Sequence, residues 1–311
     1  MFYLPGRACK TLISILKGAL QVFQAGLVLE GGGMRGVYTA GILDCFLDKG
    51  ALFPSIYGVS AGAVQACSYL SRQRGRGYAC SVNYLEDWRY LSLRSLLLTG
   101  DMFGVKMCYD TIPNKLYPFD HATFEASPAR LYAVLTDIKT GQPVYQPVVD
   151  MEKGIVAIRA SASLPFVSRM VKVDGRWTLD GGLADSIPLA KSFADGYDRS
   201  IVVLTQHPAY RKKPSQTAAL ARLRYPFRKA LRAKMADRHT RYNEQLAYVE
   251  AMEAEGRAFV FRPQQPVGFA RIEKDQGKLK ALYEQGYADA LRLYPQMLAF
   301  LEGGTAEERS K

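Results

Sequence analysis

Apolar positions along this chain follow first one period and then another. Gly26-Leu27-Val28-Leu29-Glu30 is a short, continuous apolar run of the kind a buried strand requires, and a cluster of glycines follows it at once. From Val37 to Lys49 the period changes: Ile42, Cys45, Phe46 and Lys49 recur at helical spacing, and Gly50 stands where such a helix would stop. Ser55 to Tyr57 reads as a second strand, and Ala61 to Leu70 as a second helix whose small residues allow close packing. Two strand–turn–helix units in succession predict an α/β domain with a mainly parallel sheet. Arg130 to Thr136, Pro143 to Pro147 and Ile201 to Thr205 add strands, and Lys172 to Leu179 reads as a hairpin about the favoured turn Asp174-Gly175. An apolar stripe through Phe227, Leu231, Met235, Tyr242, Leu246 and Val249 predicts one long helix ending near Gly256, followed by a strand over Ala258 to Phe261.

The two ends differ from this pattern. Residues 1–24 place Ile13, Leu16, Leu20 and Phe23 on one helical face and Lys10, Ser14, Lys17, Gln21 and Gln24 on another, an amphipathic extension that either docks on the domain or lies in a membrane interface. Lys17 splits its apolar run and no A-x-A site follows, which argues against a signal peptide and against a span. After Arg262-Pro263 the composition turns polar, with Leu279, Leu282, Tyr283 and Tyr287 marking a last helix before a charged tail. The expected organisation is therefore 1–24, a domain over 25–262 that includes a basic helical segment 211–255, and a polar C-terminal helical segment 263–311.

Composition narrows the setting. A 311-residue chain that is 48% hydrophobic and 23% charged is globular. Cys9, Cys45, Cys67, Cys80 and Cys108 are scattered, without a CxxC pair, so a reducing, cytoplasmic setting is expected, with neither a disulfide framework nor a zinc site. His121, His207 and His239 show no ligand spacing, and no metal is expected. The net charge of +12 is concentrated between Arg211 and Arg241, where eleven Lys and Arg residues meet only Asp237. Such a segment suits an anionic membrane surface, with a solvated helix face as the plain alternative. Nucleic acid is disfavoured, because no zinc finger or RNA-recognition motif accompanies the charge.

The chemistry-bearing motif is Gly58-Val59-Ser60-Ala61-Gly62, a serine between glycines at the end of a strand, where a sharp turn into a helix holds a hydroxyl out as a nucleophile. Gly31 to Gly36 supplies backbone N–H groups at a helix N-terminus, suited to the charge that develops on a carbonyl oxygen. The same letters, Gly31-x-Gly33-x-x-Gly36, fit a dinucleotide fingerprint, but the acidic residue that should end the second strand is missing. Asp180, before Gly181 and Gly182, is a candidate base or a turn cap. A Ser60-Asp180-His207 triad also fits the chain order of a hydrolase. Arg35 either orients the glycine loop or holds a phosphate, and Ser161 and Ser163 are turn or wall residues.

Taken together, Gly31-Gly32-Gly33-Met34-Arg35-Gly36, Gly58-Val59-Ser60-Ala61-Gly62, Asp180-Gly181-Gly182 and the segment Ala160 to Phe166 (ASASLPF) resemble, in order and spacing, the motifs of the patatin-like phospholipases, bacterial branch, over roughly residues 26–205. Ser186-Ile187-Pro188 departs from it, since many members carry asparagine and proline after D-G-G. The resemblance implies a three-layer α/β fold with a mainly parallel central sheet flanked by helices. It implies a lipid acyl hydrolase without cofactor or metal, with Ser60 as nucleophile and Asp180 as its activator, and no histidine. Gly31, Gly32, Gly33, Met34, Arg35 and Gly36 would form the oxyanion loop, and Gly58, Gly62, Gly181 and Gly182 would support the two turns. A lipid-binding module with a dead site, or a membrane- or nucleic-acid-binding module without catalysis, is the competing class.

Overall fold

In a computed structural model, residues 20–303 of the chain are described. An eight-stranded sheet forms the middle layer. Its strands are β2 (Gly26–Leu29), β4 (Ser55–Val59), β5 (Arg130–Asp137), β6 (Pro143–Val148), β7 (Val171–Val173), β8 (Arg176–Asp180), β9 (Ser200–Val203) and β10 (Ala258–Phe261). The remaining pair, β1 (Gln21–Val22) and β3 (Ala51–Leu52), makes a small parallel sheet of its own. Strands β10, β9, β2, β4 and β5 run parallel in that order.

Although β2 is apolar at every position, its side chains divide by period two. Leu27 and Leu29 enter one core with Ile56, Leu131, Ala133 and Ile201, while Val28 enters another with Tyr57, Val202 and Val260. The first core is covered by the helices Gly36–Asp48, Ala61–Leu70, Met151–Ser161 and Gln276–Glu302. The second is covered by Arg238–Ala254 through Tyr242, Leu246, Val249 and Met252. This is the expected three-layer α/β architecture.

One register places the site. Leu131 to Val134 pair with both β4 and β6, and Leu135 and Thr136 pair with both β6 and β8. A strand has two edges, so β4 and β8 lie end to end along one edge of β5. Val59 is opposite Val134, and Asp180, arriving from the other direction, is opposite Leu135. The residues that follow β4 and those that end β8 therefore meet.

Three expectations at the element level are corrected. The helix read over 1–24 lies outside the described residues except at its end, where Gln21 and Val22 are extended and paired with Ala51 and Leu52 and Phe23 enters the core. The long helix through 227–249 is two helices, Lys229–Ala236 and Arg238–Ala254. Their apolar residues serve different cores: Leu231 and Met235 pack with Ile138 and Leu183, and Tyr242, Leu246 and Val249 under the sheet, so the chain turns at Asp237. Finally, the segment after 262 is not a separate polar appendage. Its helix Gln276–Glu302 sends Leu279, Leu282, Ala290, Met297 and Phe300 into the first core. It crosses Gly36–Asp48 where Gly286 faces the Tyr38 carbonyl and Gly41 faces that of Tyr283, with no room for a Cβ at either glycine. Tyr38 donates to Asp289 and Tyr283 to Asp44 on either side of the crossing, at 3.0 and 2.7 Å.

Candidate active site

Ser60 leaves β4 with φ 53° and ψ −120°, a left-handed conformation rare for a residue with a Cβ. A strained elbow of this kind costs about 1–3 kcal/mol and persists only when its surroundings hold it. Here the holder is Ser161, fully buried at the end of Met151–Ser161. Its Oγ accepts the Ser60 N–H at 2.9 Å and donates to the Val134 carbonyl at 2.8 Å. The serine-rich segment thus ties the elbow to the strand beside it. Immediately after Ser60 the helix Ala61–Leu70 begins, so its positive end points at the serine.

Asp180 is 1% exposed and is fixed by its own turn. Its N–H donates to the Ser163 carbonyl at 2.8 Å, and its Oδ1 accepts the Gly182 N–H at 2.8 Å. Its Oδ2 is buried without a hydrogen-bond partner among the described residues. The carboxylate thus caps its own turn with one oxygen, while the other has no hydrogen-bond partner among the described residues. The turn is closed by Ser186, which donates to the Gly182 carbonyl at 2.9 Å, and by Arg238, whose Nε donates to the same oxygen at 2.7 Å. That is the local task of Ser186.

The glycine loop contributes less than its six letters promised. Met34 donates its N–H to the Arg271 carbonyl at 2.8 Å, Arg35 to Gly32, and Gly36 to Gly33 and Met34. These three amides are spent, which narrows the loop's available donors to Gly31, Gly32 and Gly33. Gly33, at φ 59°, lies so close under the Arg271 carbonyl that no side chain fits. Arg35 is buried with its Nε unpartnered among the described residues, and burial lowers its pKa, with Glu30 opposing and Arg271 adding to the shift. Glu30 itself is committed, accepting from Tyr242 OH at 2.6 Å and from the Thr205 N–H at 2.6 Å.

Ser60, Asp180, Gly31, Gly32, Gly33, Arg35 and Gly182 line one small polar pocket with a cavity volume of about 30 Å³. Ser60 and Gly33 also line a second, apolar cleft, with a cavity volume of about 150 Å³, together with Met34, Val64, Tyr90, Phe103, Tyr109 and Ile112. Ser60 stands where the two meet. His207 lines neither; it borders a neighbouring depression with Pro266 and Phe269, and among the described residues its side chain bonds to neither Ser60 nor Asp180. His121 and His239 are elsewhere, the first against Phe119 and the second on the surface. Sequence reasoning missed Lys212, Tyr210, Arg238, Tyr242 and Arg271, which complete the polar pocket. Arg238 and Lys212 were visible only as part of a basic run, and Arg271 carried no signal at all, because only the tertiary fold returns it to the glycine loop.

The fold is thus a three-layer α/β protein with a mainly parallel sheet, in which a strained serine, a glycine loop and a buried aspartate line one pocket. Residues 27–191, just over half of the chain, match the patatin-like phospholipase family, and the chain belongs to that family. Residues 228–302 match a domain of unknown function (DUF6363). The chain is 26% identical over 203 residues to the uncharacterized protein YjjU of Escherichia coli, covering 63% of this chain and 56% of that protein. It is 28% identical over 206 residues to the uncharacterized NTE family protein Mb1092c of Mycobacterium bovis, covering 62% of this chain and 53% of that protein. It thus spans about half the length of each. To the uncharacterized protein YqhO of Bacillus subtilis it is 22% identical over 283 residues, 81% of this chain and 96% of that protein.

Proposed function

We propose that the protein hydrolyses a fatty-acyl ester of a phospholipid or lysophospholipid, with Ser60 as nucleophile and Asp180 as base. The observation that carries this reading is the position of Ser60, at the junction of an apolar cleft and a polar pocket that Asp180 also lines. The acyl chain occupies the cleft. Asp180 Oδ2 takes the hydroxyl proton as Ser60 Oγ adds to the ester carbonyl, and the oxyanion is met by the amides of Gly31, Gly32 and Gly33. Collapse expels the alcohol half, which receives the proton. Water then attacks the acyl-serine by the same route and releases the fatty acid. Ser60→Ala should lower hydrolysis of a medium-chain p-nitrophenyl ester by about 10⁴-fold or more, and Asp180→Asn by about 10³-fold, in folded protein. His207→Ala should retain activity. Equal loss in His207→Ala and Ser60→Ala would refute the dyad.

The same reading places the protein on a lipid surface. Among the described residues no helix is long and apolar enough to cross a membrane. Two short helices, Leu93–Thr99 and Ala218–Arg224, expose Leu93, Leu97, Leu98 and Leu223, and Phe227 follows at 92% exposure. Both adjoin the segment that follows Leu164, a residue of the site: Met102 donates to the Val167 carbonyl, and Tyr225 OH accepts from the Phe166 N–H. Exposed leucines interleaved with Arg94, Arg222, Arg224 and Arg228 suit an anionic bilayer.

A further inference from the structure

The apolar cleft is not apolar throughout. Beside Val64, Phe103 and Ile112 it is lined by Gln65, Arg76 and Ser81. Gln65 is 4% exposed and Arg76 7%, and each carries one buried atom without a hydrogen-bond partner among the described residues: Oε1 of Gln65 and Nε of Arg76. The rest of each side chain is engaged. Gln65 Nε2 donates to Ser81 Oγ at 3.1 Å, and that hydroxyl donates to the Gly77 carbonyl at 2.8 Å, which fixes the way the amide faces. Arg76 donates to Ser68 Oγ at 3.3 Å and to the Tyr117 carbonyl at 3.2 Å, and its guanidinium lies 5.0 Å from the centre of the Phe119 ring. Among the described residues no carboxylate pairs with it. Gln65 Oε1 fills the space beside Gly77 that a Cβ would take, so it meets the chain next to Arg76.

An unpaired acceptor and an unpaired donor in the wall of one cavity call for a group that both donates and accepts. A carboxylate only accepts, and would set its charge against the Gln65 oxygen. An ammonium only donates, and would meet the Arg76 cation. A hydroxyl does both. Water does so too, but a plain alkyl chain that displaces water here leaves both atoms unpaired, a cost that a hydroxyl on the chain avoids. Gln65 stands five residues beyond Ser60 on the helix Ala61–Leu70, roughly 7 Å along its axis. The group therefore belongs well down an acyl chain, away from the carbonyl that Ser60 attacks.

We infer that Gln65 and Arg76 form a subsite for a hydroxyl group carried on the distal part of the acyl chain, so that the enzyme selects hydroxylated acyl groups over plain alkyl ones. The hydroxyl donates to Gln65 Oε1 and accepts from Arg76 Nε–H. The inference rests on the proposed acyl-hydrolase reading and adds the class of acyl group to it. A site built to hydrogen-bond a substrate hydroxyl discriminates strongly against the analogue that lacks it, because the buried protein atoms are then left without partners. The apolar residues of the same cleft cannot make that distinction, since they meet the methylene groups that both kinds of chain share.

The test separates binding from turnover. Ser60→Ala protein is titrated with methyl octanoate, methyl 8-hydroxyoctanoate and methyl 2-hydroxyoctanoate. The 8-hydroxy ester should bind about 10-fold or more tighter than the plain ester, and the 2-hydroxy ester, whose hydroxyl lies beside the carbonyl, should show no such gain. Adding Gln65→Met, close in size and without the acceptor, or Arg76→Met should bring the preference below about 3-fold in protein that melts as its parent does. Val64→Ala, which trims the apolar wall, should weaken the plain and 8-hydroxy esters alike. Equal binding of these two esters would mean that the two atoms hold water alone and would overturn the inference. So would a preference that survives both methionine variants, or one shown equally by the 2-hydroxy ester. Because Ser60→Ala cannot turn over, a wild-type enzyme that fails to hydrolyse esters would count against the proposed reaction alone. In an active wild type, the ratio of kcat/KM for the 8-hydroxy over the plain ester should fall in parallel in both methionine variants.

Discussion

Ser60 holds a conformation it would leave if Ser161 let it go. Because the Ser60 N–H and the Val134 carbonyl are both buried and both bonded to one hydroxyl, the elbow and the neighbouring strand are locked as a unit. Across the pocket, Lys212 is held down to about 7 by burial first, then by Arg238 and Arg271, with Glu30 opposing and Arg35 adding; Tyr210 and Tyr242 face it as well. The sign of the consequence follows from which state binds the proton. Between about pH 7 and the ordinary lysine value of 10.5 the unfolded chain keeps a proton that the folded chain has released. The penalty is therefore complete below pH 7 and fades as pH rises through this window. Lys212→Met should stabilise the protein more at pH 6.5 than at pH 9.5, read as the difference in urea midpoint from wild type; a difference that does not change with pH would contradict it. The serine, the glycine loop and Asp180 were legible in the sequence because each is written in a local turn. The Ser161 clamp was not, because a buried hydroxyl that bridges two strands has the same letters as one in an ordinary turn.

At the scale of elements, β4 and β8 share an edge of β5, and this brings Ser60 to Asp180 from opposite directions. The hairpin was readable from Asp174-Gly175, which takes φ values of 44° and 79° as its turn type requires. That β8 would abut β4 was not readable, since edge sharing is decided by strand length: β5 has eight residues and β4 five. The helix expected over 227–249 failed for a related reason, because a single apolar stripe was asked to serve two cores. The exposed faces of Leu93–Thr99 and Ala218–Arg224 carry a prediction of their own. Wild-type protein should pellet with vesicles containing phosphatidylglycerol and much less with neutral ones. Replacing Leu97 and Phe227 by Ser should reduce binding by about 100-fold or more, at about 1.5–3 kcal/mol for each large apolar side chain that is fully withdrawn from water. Unchanged binding in that variant, or equal binding to neutral vesicles, would contradict the assignment of this face.

Over the whole molecule, the patatin-like portion and the C-terminal region are one body in packing and one site in lining. Gln276–Glu302 closes the core over the first helix, and the segment before it carries Arg271 to the glycine loop. Strand and helix order, and hence the fold class, followed from hydrophobic periodicity; the cationic wall did not, because Arg35, Lys212, Arg238 and Arg271 are far apart in sequence and none sits in a recurrent motif. The central claim remains the nucleophile and its base. A fluorophosphonate probe should label wild-type protein at Ser60, identified by peptide mapping, while Asp180→Asn labels at least about 100-fold more slowly and Ser60→Ala not at all. Labelling at another residue, or unimpaired labelling of folded Asp180→Asn, would contradict the account.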